Sequence, residues 1–277
     1  MAWVTQNRLV VAYNNRVRVE NIAALTVANI TADTYFPESN LKYPDPTLKL
    51  KTSATSGGDR VITIQFTGAQ NINCAGVLAH NFVTQGYETV NVQYSSNGSA
   101  WNNVGTGTIN LTSNINPNFL LRFSPQTVAY WRFIFAMSSG TRQAFEVGML
   151  FLGTYSEFTR HPLPESGFKI HKDPHLETIQ SAGGQAWFQQ GHGTFSESAE
   201  IELVRVQSAD AITVEDVMFN KNIRQIVAIV PPDQVGAQFP VLGQHTFGMI
   251  EGLTKVPRSN FDGTSSYDMT LAFTGAV

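Results

Sequence analysis

The fold of the N-terminal half is decided by the stretch TVNVQYSSNGSAW, which runs from Thr89 to Trp101. Its first part, residues 89–95, alternates apolar and polar side chains, and a period of two is typical of a strand with one buried face. Asn97 and Gly98 then predict a tight turn, because both residue types tolerate a positive φ. The stretch therefore predicts a strand, a turn and an aromatic residue that follows the turn.

Three further apolar stretches follow in the same half of the chain. They are Phe119–Phe123, Tyr130–Phe135 and Val147–Leu152. Short apolar runs bounded by turn residues are typical of the strands of β-sandwiches. Together with the first stretch they predict a jelly-roll β-sandwich.

This half of the chain resembles the galactose-binding-like, or discoidin-type, sandwich family. The resemblance is carried by the turn Ser96–Trp101, the aromatic-Arg-aromatic strand Trp131–Phe133 and a closing strand that ends in Leu152 and Gly153. It covers residues 29–153 and implies a jelly-roll sandwich. Members of the family bind ligands through loops at one end of the sandwich, and the fold serves sugar binding, lipid binding and scaffolding alike.

Two aromatic residues of the sandwich, Tyr87 and Trp101, are candidate glycan contacts. An aromatic ring after a tight turn can stack on a sugar. It can equally pack against the edge of the sandwich, because aromatic side chains dominate the buried surface of cores. The sequence leaves both interpretations of Trp101 open.

The chain has 277 residues, which is enough for two domains. Residues 1–28 are predicted to form an N-terminal strand arm or hairpin, and residues 29–153 the sandwich. The stretch 154–169 contains two prolines and is predicted to be a linker. Residues 170–277 are predicted to form a second β domain.

The second domain is predicted from the order of its patterns. A strand at Glu200–Val206 is followed by a short helix at Ala209–Asn220, a buried strand at Gln225–Val230 and two closing strands. This order resembles the tail-tube-like domain of tailed bacteriophages, which also recurs in distal tail and hub proteins. The resemblance implies a β-sandwich or barrel of tail-tube type with one short helix. The fold class expected for the whole chain is therefore mainly β.

Composition argues against nucleic acid and anionic membranes as partners. Charged residues make up only 14% of the chain, the net charge is −3, and Lys and Arg are scattered along the sequence. No apolar run approaches the roughly 20 residues that a membrane-spanning helix needs. A polar but uncharged surface suits a protein that packs against neighbours, and it equally suits a surface that faces sugars.

The single cysteine, Cys74, lies in an apolar run and excludes an intrachain disulfide. The N-terminus shows no basic region followed by an apolar core, so no secretory signal is visible. Both observations predict that the chain folds in a reducing cytoplasm.

No catalytic, cofactor or metal site is predicted, and we expect the protein not to be an enzyme. His171 and His175 have the spacing of a helical metal site, but Pro174 between them argues against a helix, so a surface loop is expected. The acidic residues of the second domain are interpreted as belonging to a solvent-facing strand and the first turns of a helix; they are Glu200, Glu202, Glu215 and Asp216. No nucleophile elbow and no phosphate-binding glycine motif is present.

Two functions from different classes remain. The first is a structural virion protein of a phage tail tip, a distal-tail or baseplate adaptor that joins the tail tube to hub or fibre proteins. It would self-associate into a ring, expected to be a hexamer. The second is a carbohydrate-binding adhesin that acts through loops of the sandwich and binds host surface glycan. The sequence favours the ring, because ring assembly explains the low charge density, the linker and the tube-like domain.

The contacts within the ring are expected to involve a loop at residues 183–193. Its candidate interface residues are Gly183, Gly184, Trp187, Phe188 and His192. Symmetric oligomers need complementary surfaces, and arms and loops often supply them.

Overall fold

Strands account for most of the chain in the computed structural model. The described residues are 10–29, 35–43, 48–53, 58–111, 119–137, 144–157, 168–173, 176–180, 186–190, 196–207, 209, 211–212, 215, 227–230, 246–259 and 265–275. Two short 3₁₀ helices lie at Val19–Asn21 and Glu38–Lys42. None of the helices in the described residues has the length and apolarity needed to cross a bilayer. The mainly β fold class predicted from the sequence is confirmed.

The strands, numbered in chain order, are β1 (Val10–Tyr13), β2 (Ile22–Ala28), β3 (Leu50–Lys51), β4 (Arg60–Leu78), β5 (Thr89–Ser95), β6 (Asn102–Asn110), β7 (Phe119–Ala136), β8 (Glu146–Val147), β9 (Met149–Glu157), β10 (Phe168–Asp173), β11 (Leu176–Gln180), β12 (Ala186–Gln190), β13 (Ser196–Gln207), β14 (Val227–Val230), β15 (Thr246–Ser259) and β16 (Ser265–Gly275).

The chain divides into two units. The first contains Val11–Ser156, and the second contains Glu157–Pro231 and Thr246–Val277. The predicted linker falls mostly outside the described residues, and its residues 154–157 belong to β9. The domain boundaries proposed from the sequence stay predictions.

In the first unit β4 is the central strand. It pairs antiparallel with β7 along one edge, and with β2 and then β9 along the other. The order of strands is β1-β9-β4-β7-β5-β6, and the short strands β3 and β8 form a pair of their own. A register break between Gln65 and Gln70 separates the two halves of β4.

Alternating burial explains why β7 forms a strand with two different faces. Trp131, Phe133 and Phe135 are buried, whereas Arg132 and Ile134 between them are partly exposed. Successive side chains of a strand point to opposite faces, so the aromatic residues enter the core and Arg132 lies on the other face. The sequence predicted a strand at this stretch, and the structure adds which of its residues face the core.

The core of the first unit contains a cluster of aromatic rings. The ring centroid of Phe82 lies 4.2 Å from that of Phe135 and 5.2 Å from that of Phe145. Tyr87 completes the cluster, with its centroid 5.4 Å from that of Phe145. Each of these side chains is at most 1% exposed, and their burial is a large apolar contribution to stability.

Asn15 ties the N-terminal segment to the first unit. Its Nδ2 donates to the carbonyl of Leu150 at 2.9 Å, and its Oδ1 accepts from the backbone N–H of Leu152 at 3.0 Å. β1 pairs with β9 on the same side. A hairpin, which the sequence allowed here, does not form, because Val19 begins a 3₁₀ helix and these bonds join the segment to β9.

In the second unit, β10, β13, β16, β15 and β14 form an antiparallel sheet in that order. β11 and β12 pair with each other as a separate antiparallel pair. Met269 and Leu271 of β16 are buried and Tyr267 is partly exposed, as expected for a half-buried closing strand. The tail-tube type of this unit stays a prediction.

The helix predicted before β14 is present in the residues that the structure describes. Ala209, Ala211, Ile212 and Glu215 are helical. Glu215 Oε1 lies 2.7 Å from Lys255 Nζ, which connects this helical segment to β15.

Candidate functional site

A tightly bonded turn follows β5. The Ser95 Oγ accepts a hydrogen bond from the N–H of Gly98 at 3.0 Å, and Asn97 Oδ1 accepts from two backbone amides further along, both at 3.0 Å. Gly98 has a φ of +76°, and a Cβ at this position would come within 3.1 Å of the Tyr130 ring. Glycine is therefore the residue that fits the turn. A turn forms where Asn97 and Gly98 predicted one, but only Gly98 of the two has a positive φ, and the turn spans residues 96–101.

After this turn, Trp101 lies on the same face of the sheet as Arg132. The Cζ atom of Arg132 lies 4.2 Å from the centroid of the Trp101 ring, which is a cation–π contact. Both side chains are partly exposed. The Trp101 ring is thus partly exposed and also packed against an arginine, and its role as a glycan contact stays a prediction.

Three amide side chains continue from Arg132 across the neighbouring strands. Arg132 Nε donates to Gln93 Oε1 at 2.6 Å, and Gln93 Nε2 donates to Asn103 Oδ1 at 2.7 Å. Asn91 Nδ2 donates to the same Asn103 oxygen at 3.1 Å. Asn91, Gln93, Trp101, Asn103 and Arg132 form what we call the Trp101 patch.

Strand register brings the members of the Trp101 patch together. Gln93 of β5 lies opposite Arg132 of β7 on one side and opposite Asn103 of β6 on the other. The polar row continues beyond the patch, because Thr63 of β4 lies opposite Arg132 and Thr26 of β2 lies opposite Thr63. The polar members of the patch thus lie on the outer face of the sheet, and the turn after β5 adds Trp101 to them.

Arg132 supplies the positive charge of the Trp101 patch. Burial lowers the pKa of Arg132 from its ordinary value, but an arginine side chain stays protonated in proteins. Within the described part of the chain, no carboxylate forms an ion pair or a hydrogen bond with Arg132. The patch therefore carries one positive charge that the described residues leave uncompensated.

Tyr87, the other candidate glycan contact, is a core residue. Its side chain is 0% exposed, and its ring packs against Phe82 and Phe145. Its hydroxyl accepts a hydrogen bond from Arg60 Nε at 3.2 Å. A sugar cannot reach a ring enclosed in this way, so the prediction for Tyr87 does not hold in this structure.

The candidate ring-interface residues are only partly covered by the structure. Gly183, Gly184 and His192 lie outside the described residues. Trp187 and Phe188 lie in β12, opposite Ile179 and Thr178 of β11. The stretch 183–193 is therefore not a loop throughout, because residues 186–190 form a strand that pairs antiparallel with β11. Its role in an interface stays a prediction.

The polar residues weighed for chemistry are dispersed. His171 lies in β10, opposite Ser198, and is not part of a loop; His175 falls outside the described residues. Glu200 and Glu202 lie in β13, opposite Ala272 and Thr270 of β16. Among the described residues, no group of three or more His, Cys, Asp or Glu side chains could hold a metal ion.

No protein-family model and no curated protein matches the sequence. Solved structures that are similar to about half of the chain include carbohydrate-binding modules. A pectin binding module is 17% identical, with 49% of this chain and 93% of that chain covered and a TM-score of 0.39. The chitosan-binding module 1 of a chitosanase/glucanase from Paenibacillus sp. IK-5 is 14% identical, with 51% and 100% covered and a TM-score of 0.40.

A third similar structure is a CBM32 module from a family 31 glycoside hydrolase of Clostridium perfringens. It is 16% identical, with 51% of this chain and 95% of that chain covered and a TM-score of 0.39. The fold described above rests on the strand pairing of this chain.

Sequence reasoning identified Trp101 but missed the other members of the Trp101 patch. Asn91 and Gln93 were recognised only as the polar half of an alternating strand, and Arg132 only as the centre of an aromatic pattern. The signal that could have found them is their shared direction. Polar residues that alternate with core residues on two paired strands face the same side of the sheet.

Proposed function

We propose that the first unit binds carbohydrate through the Trp101 patch. The observation that carries the proposal is the contact between the partly exposed Trp101 ring and Arg132. A hydrogen bond from Arg132 Nε to Gln93 Oε1 fixes the position of the arginine side chain. An aromatic surface beside fixed polar groups is the usual composition of a small-molecule binding site.

The chemistry of the patch suits a sugar. A sugar ring has an apolar face of C–H groups, which an aromatic ring can cover, and a rim of hydroxyls that need hydrogen bonds. Arg132 places N–H groups beside Trp101 for such bonds, and Asn103 is linked to Arg132 through Gln93. Because the patch lies on a sheet face, an extended polysaccharide could run across it. The site differs from the loop site implied by the family resemblance.

Binding of the full chain to glycans tests the proposal. The first measurement is a glycan array, followed by electrophoresis through gels that contain the polysaccharides retained on the array. The variant Trp101→Ala should bind about tenfold more weakly or not at all, because a central aromatic residue of a binding site commonly contributes more than about 1 kcal/mol. Its melting temperature should stay close to that of the unchanged chain.

Tyr43→Ala is the matched control for this variant. Tyr43 is an aromatic residue of the same unit that is 49% exposed and lies at the end of the second 3₁₀ helix, apart from the patch residues in sequence. Glycan binding by Tyr43→Ala should equal that of the unchanged chain. The proposal fails if no glycan is retained, or if Trp101→Ala binds as tightly as Tyr43→Ala.

A ring-forming role in a phage tail stays a second proposal. It is favoured by the order of elements in the second unit, where a strand, a helical segment, a short strand and a long antiparallel pair follow one another as in the predicted tail-tube arrangement. The mass of the purified chain in solution, with negative-stain images, tests it. Rings would support it, and a monomer at high concentration would overturn it.

A further inference from the structure

The Trp101 patch has an uneven supply of hydrogen-bond donors and acceptors. Gln93 Oε1 accepts from Arg132, and Asn103 Oδ1 accepts from both Gln93 and Asn91. The oxygens of these two amides are therefore occupied by donors of the patch itself. The groups that can bond to a ligand are therefore the donors and acceptors that are not used within the patch.

The orientation of these amides follows from the arginine. A guanidinium group has only donors, so Gln93 must turn its oxygen towards Arg132. The Gln93 nitrogen then points to Asn103, which must present its own oxygen. The donor-only guanidinium thus fixes the direction of every hydrogen bond in the series Arg132, Gln93, Asn103 and Asn91. Rotation of any one of these amides by half a turn would place two donors or two acceptors face to face.

The groups that remain are donors. Arg132 Nη1 and Nη2 and Asn103 Nδ2 have no hydrogen-bond partner among the described residues. The Asn91 Oδ1 is an acceptor without a partner in the same part of the chain, but it is buried and does not face a ligand. The accessible side of this series therefore consists of N–H groups and one positive charge.

We infer that the ligand of the Trp101 patch is an acidic glycan, one whose carboxylate binds the outer N–H groups of Arg132. The inference rests on the proposed carbohydrate-binding function and names its ligand class. A neutral hydroxyl both donates and accepts, and the accessible part of the series offers it no acceptor. A carboxylate only accepts, and its two oxygens match the paired N–H groups of a guanidinium.

The charge of the site favours the same ligand. No carboxylate of the described residues pairs with Arg132, so a bound carboxylate does not have to displace one. The contact with Trp101 and the bond to Gln93 also restrict the side chain before a ligand arrives. A fixed guanidinium loses less side-chain freedom on binding than a mobile lysine would.

The test compares an acidic polysaccharide with its uncharged ester and with further acidic, neutral and sulfated polymers. The full chain is run through gels containing polygalacturonate or the same polymer after complete methyl esterification, which removes the carboxylate charge. Alginate and hyaluronan serve as further uronate polymers, neutral galactan as a neutral one and dextran sulfate as a sulfated one. We expect retention by at least one uronate polymer, and about tenfold weaker retention by the neutral polymers, as for the loss of a hydrogen bond to a charged group.

Two variants assign the preference to the arginine. Arg132→Gln should reduce retention by the uronate polymer about tenfold while leaving any weak retention by galactan unchanged. Arg132→Lys keeps the charge but loses the paired N–H geometry, so its retention by the uronate polymer should fall between that of the unchanged chain and that of Arg132→Gln. Lys49→Gln removes one positive charge from the same unit outside the patch and should behave as the unchanged chain. Thermal melting confirms that each variant is folded.

The outcomes separate this inference from the proposed function. Retention by neutral polymers that depends on Trp101, without any preference for uronates, would overturn the inference and leave carbohydrate binding intact. The inference would also be overturned if Arg132→Gln and Lys49→Gln lost retention by the uronate polymer equally, or if dextran sulfate retained the chain as strongly as the uronate polymer does. Either result would indicate unspecific attraction between charges. Absence of binding to every glycan would overturn both.

Discussion

Arg60 donates from its Nε to the hydroxyl of Tyr87 at 3.2 Å, and both side chains are 0% exposed. The two residues are 27 positions apart in sequence. A buried guanidinium is costly unless its N–H groups are hydrogen bonded. The tyrosine hydroxyl therefore has a structural role in keeping this charge inside the first unit.

Tyr87→Phe should destabilise the chain without affecting glycan binding. The change keeps the ring and removes one acceptor from the buried Arg60, so we expect a loss of about 1–3 kcal/mol in the free energy of unfolding. Urea denaturation measures the loss. Tyr43→Phe, at a ring that is 49% exposed, should cost almost nothing. A Tyr87→Phe variant that is as stable as the unchanged chain would show that the bond to Arg60 contributes nothing.

Gly98→Ala should weaken both the turn and the Trp101 patch. Its φ of +76° disfavours any residue with a Cβ, and the added atom would press on the Tyr130 ring at 3.1 Å. We expect a loss of about 1–2 kcal/mol in stability and weaker glycan binding, because Trp101 follows the turn.

Gly68→Ala is the control for this change. An added Cβ at Gly68 meets nothing within 4 Å, and the residue does not have a positive φ. Chemical denaturation and gel retention should find Gly68→Ala close to the unchanged chain. If both alanine variants behave alike, the geometry of the Gly98 turn has no part in positioning Trp101.

Asn15→Ala should destabilise the attachment of the N-terminal segment. The change removes the hydrogen bonds that join Asn15 to Leu150 and Leu152, which lie 135 and 137 positions further along the chain. The buried carbonyl of Leu150 and the buried amide of Leu152 then lose these bonds. The expected loss is about 1–3 kcal/mol. Hydrogen exchange should show faster exchange of the Leu152 amide. Unchanged exchange there would mean that Asn15 does not hold the segment.

Cys74 should be unreactive in the folded chain. Burial raises the pKa of the Cys74 thiol, although the nearby charge of Arg122 acts to lower it. Because the thiolate is the reactive form, an alkylating reagent should modify the folded chain far more slowly than the unfolded chain from neutral pH to about pH 9. Mass spectrometry with and without denaturant measures the difference. Rapid modification of the folded chain at pH 8 would contradict the burial of Cys74.

Alternation in the sequence was enough to predict that β5 has one face in the core. Val90 and Val92 are buried, and Asn91 and Gln93 between them are not, as the period of two required. The Asn97-Gly98 turn was predictable for a similar reason, since its conformation depends on the two residues themselves. These features are local, and local chemistry is what a sequence displays directly.

The Trp101 patch could not be predicted because it depends on pairing between distant strands. Gln93 and Arg132 are 39 residues apart, and their bond requires the register of β5 against β7. A register shift after Asn91 in the pairing with β6 then brings Asn103 opposite Gln93. A slip of one residue would move every side chain of the strand to the other face, and no single stretch of sequence contains that information.

Tyr87 was mispredicted for the same reason. It lies between strands, where no alternation indicates burial, and the residues that enclose it are spread along the chain. An aromatic residue in a polar stretch is consistent with exposure until its neighbours in space are known.

The hydrogen bonds of the Trp101 patch have a consequence for the thermodynamics of binding. Restricting a glutamine or arginine side chain costs up to about 2 kcal/mol of conformational entropy, and the contacts of Arg132 with Gln93 and Trp101 impose much of that restriction when the chain folds. A ligand would meet a surface that is already organised. The free and bound forms should then differ little in backbone and rotamer, and the affinity should depend on how well the ligand matches a fixed pattern of donors.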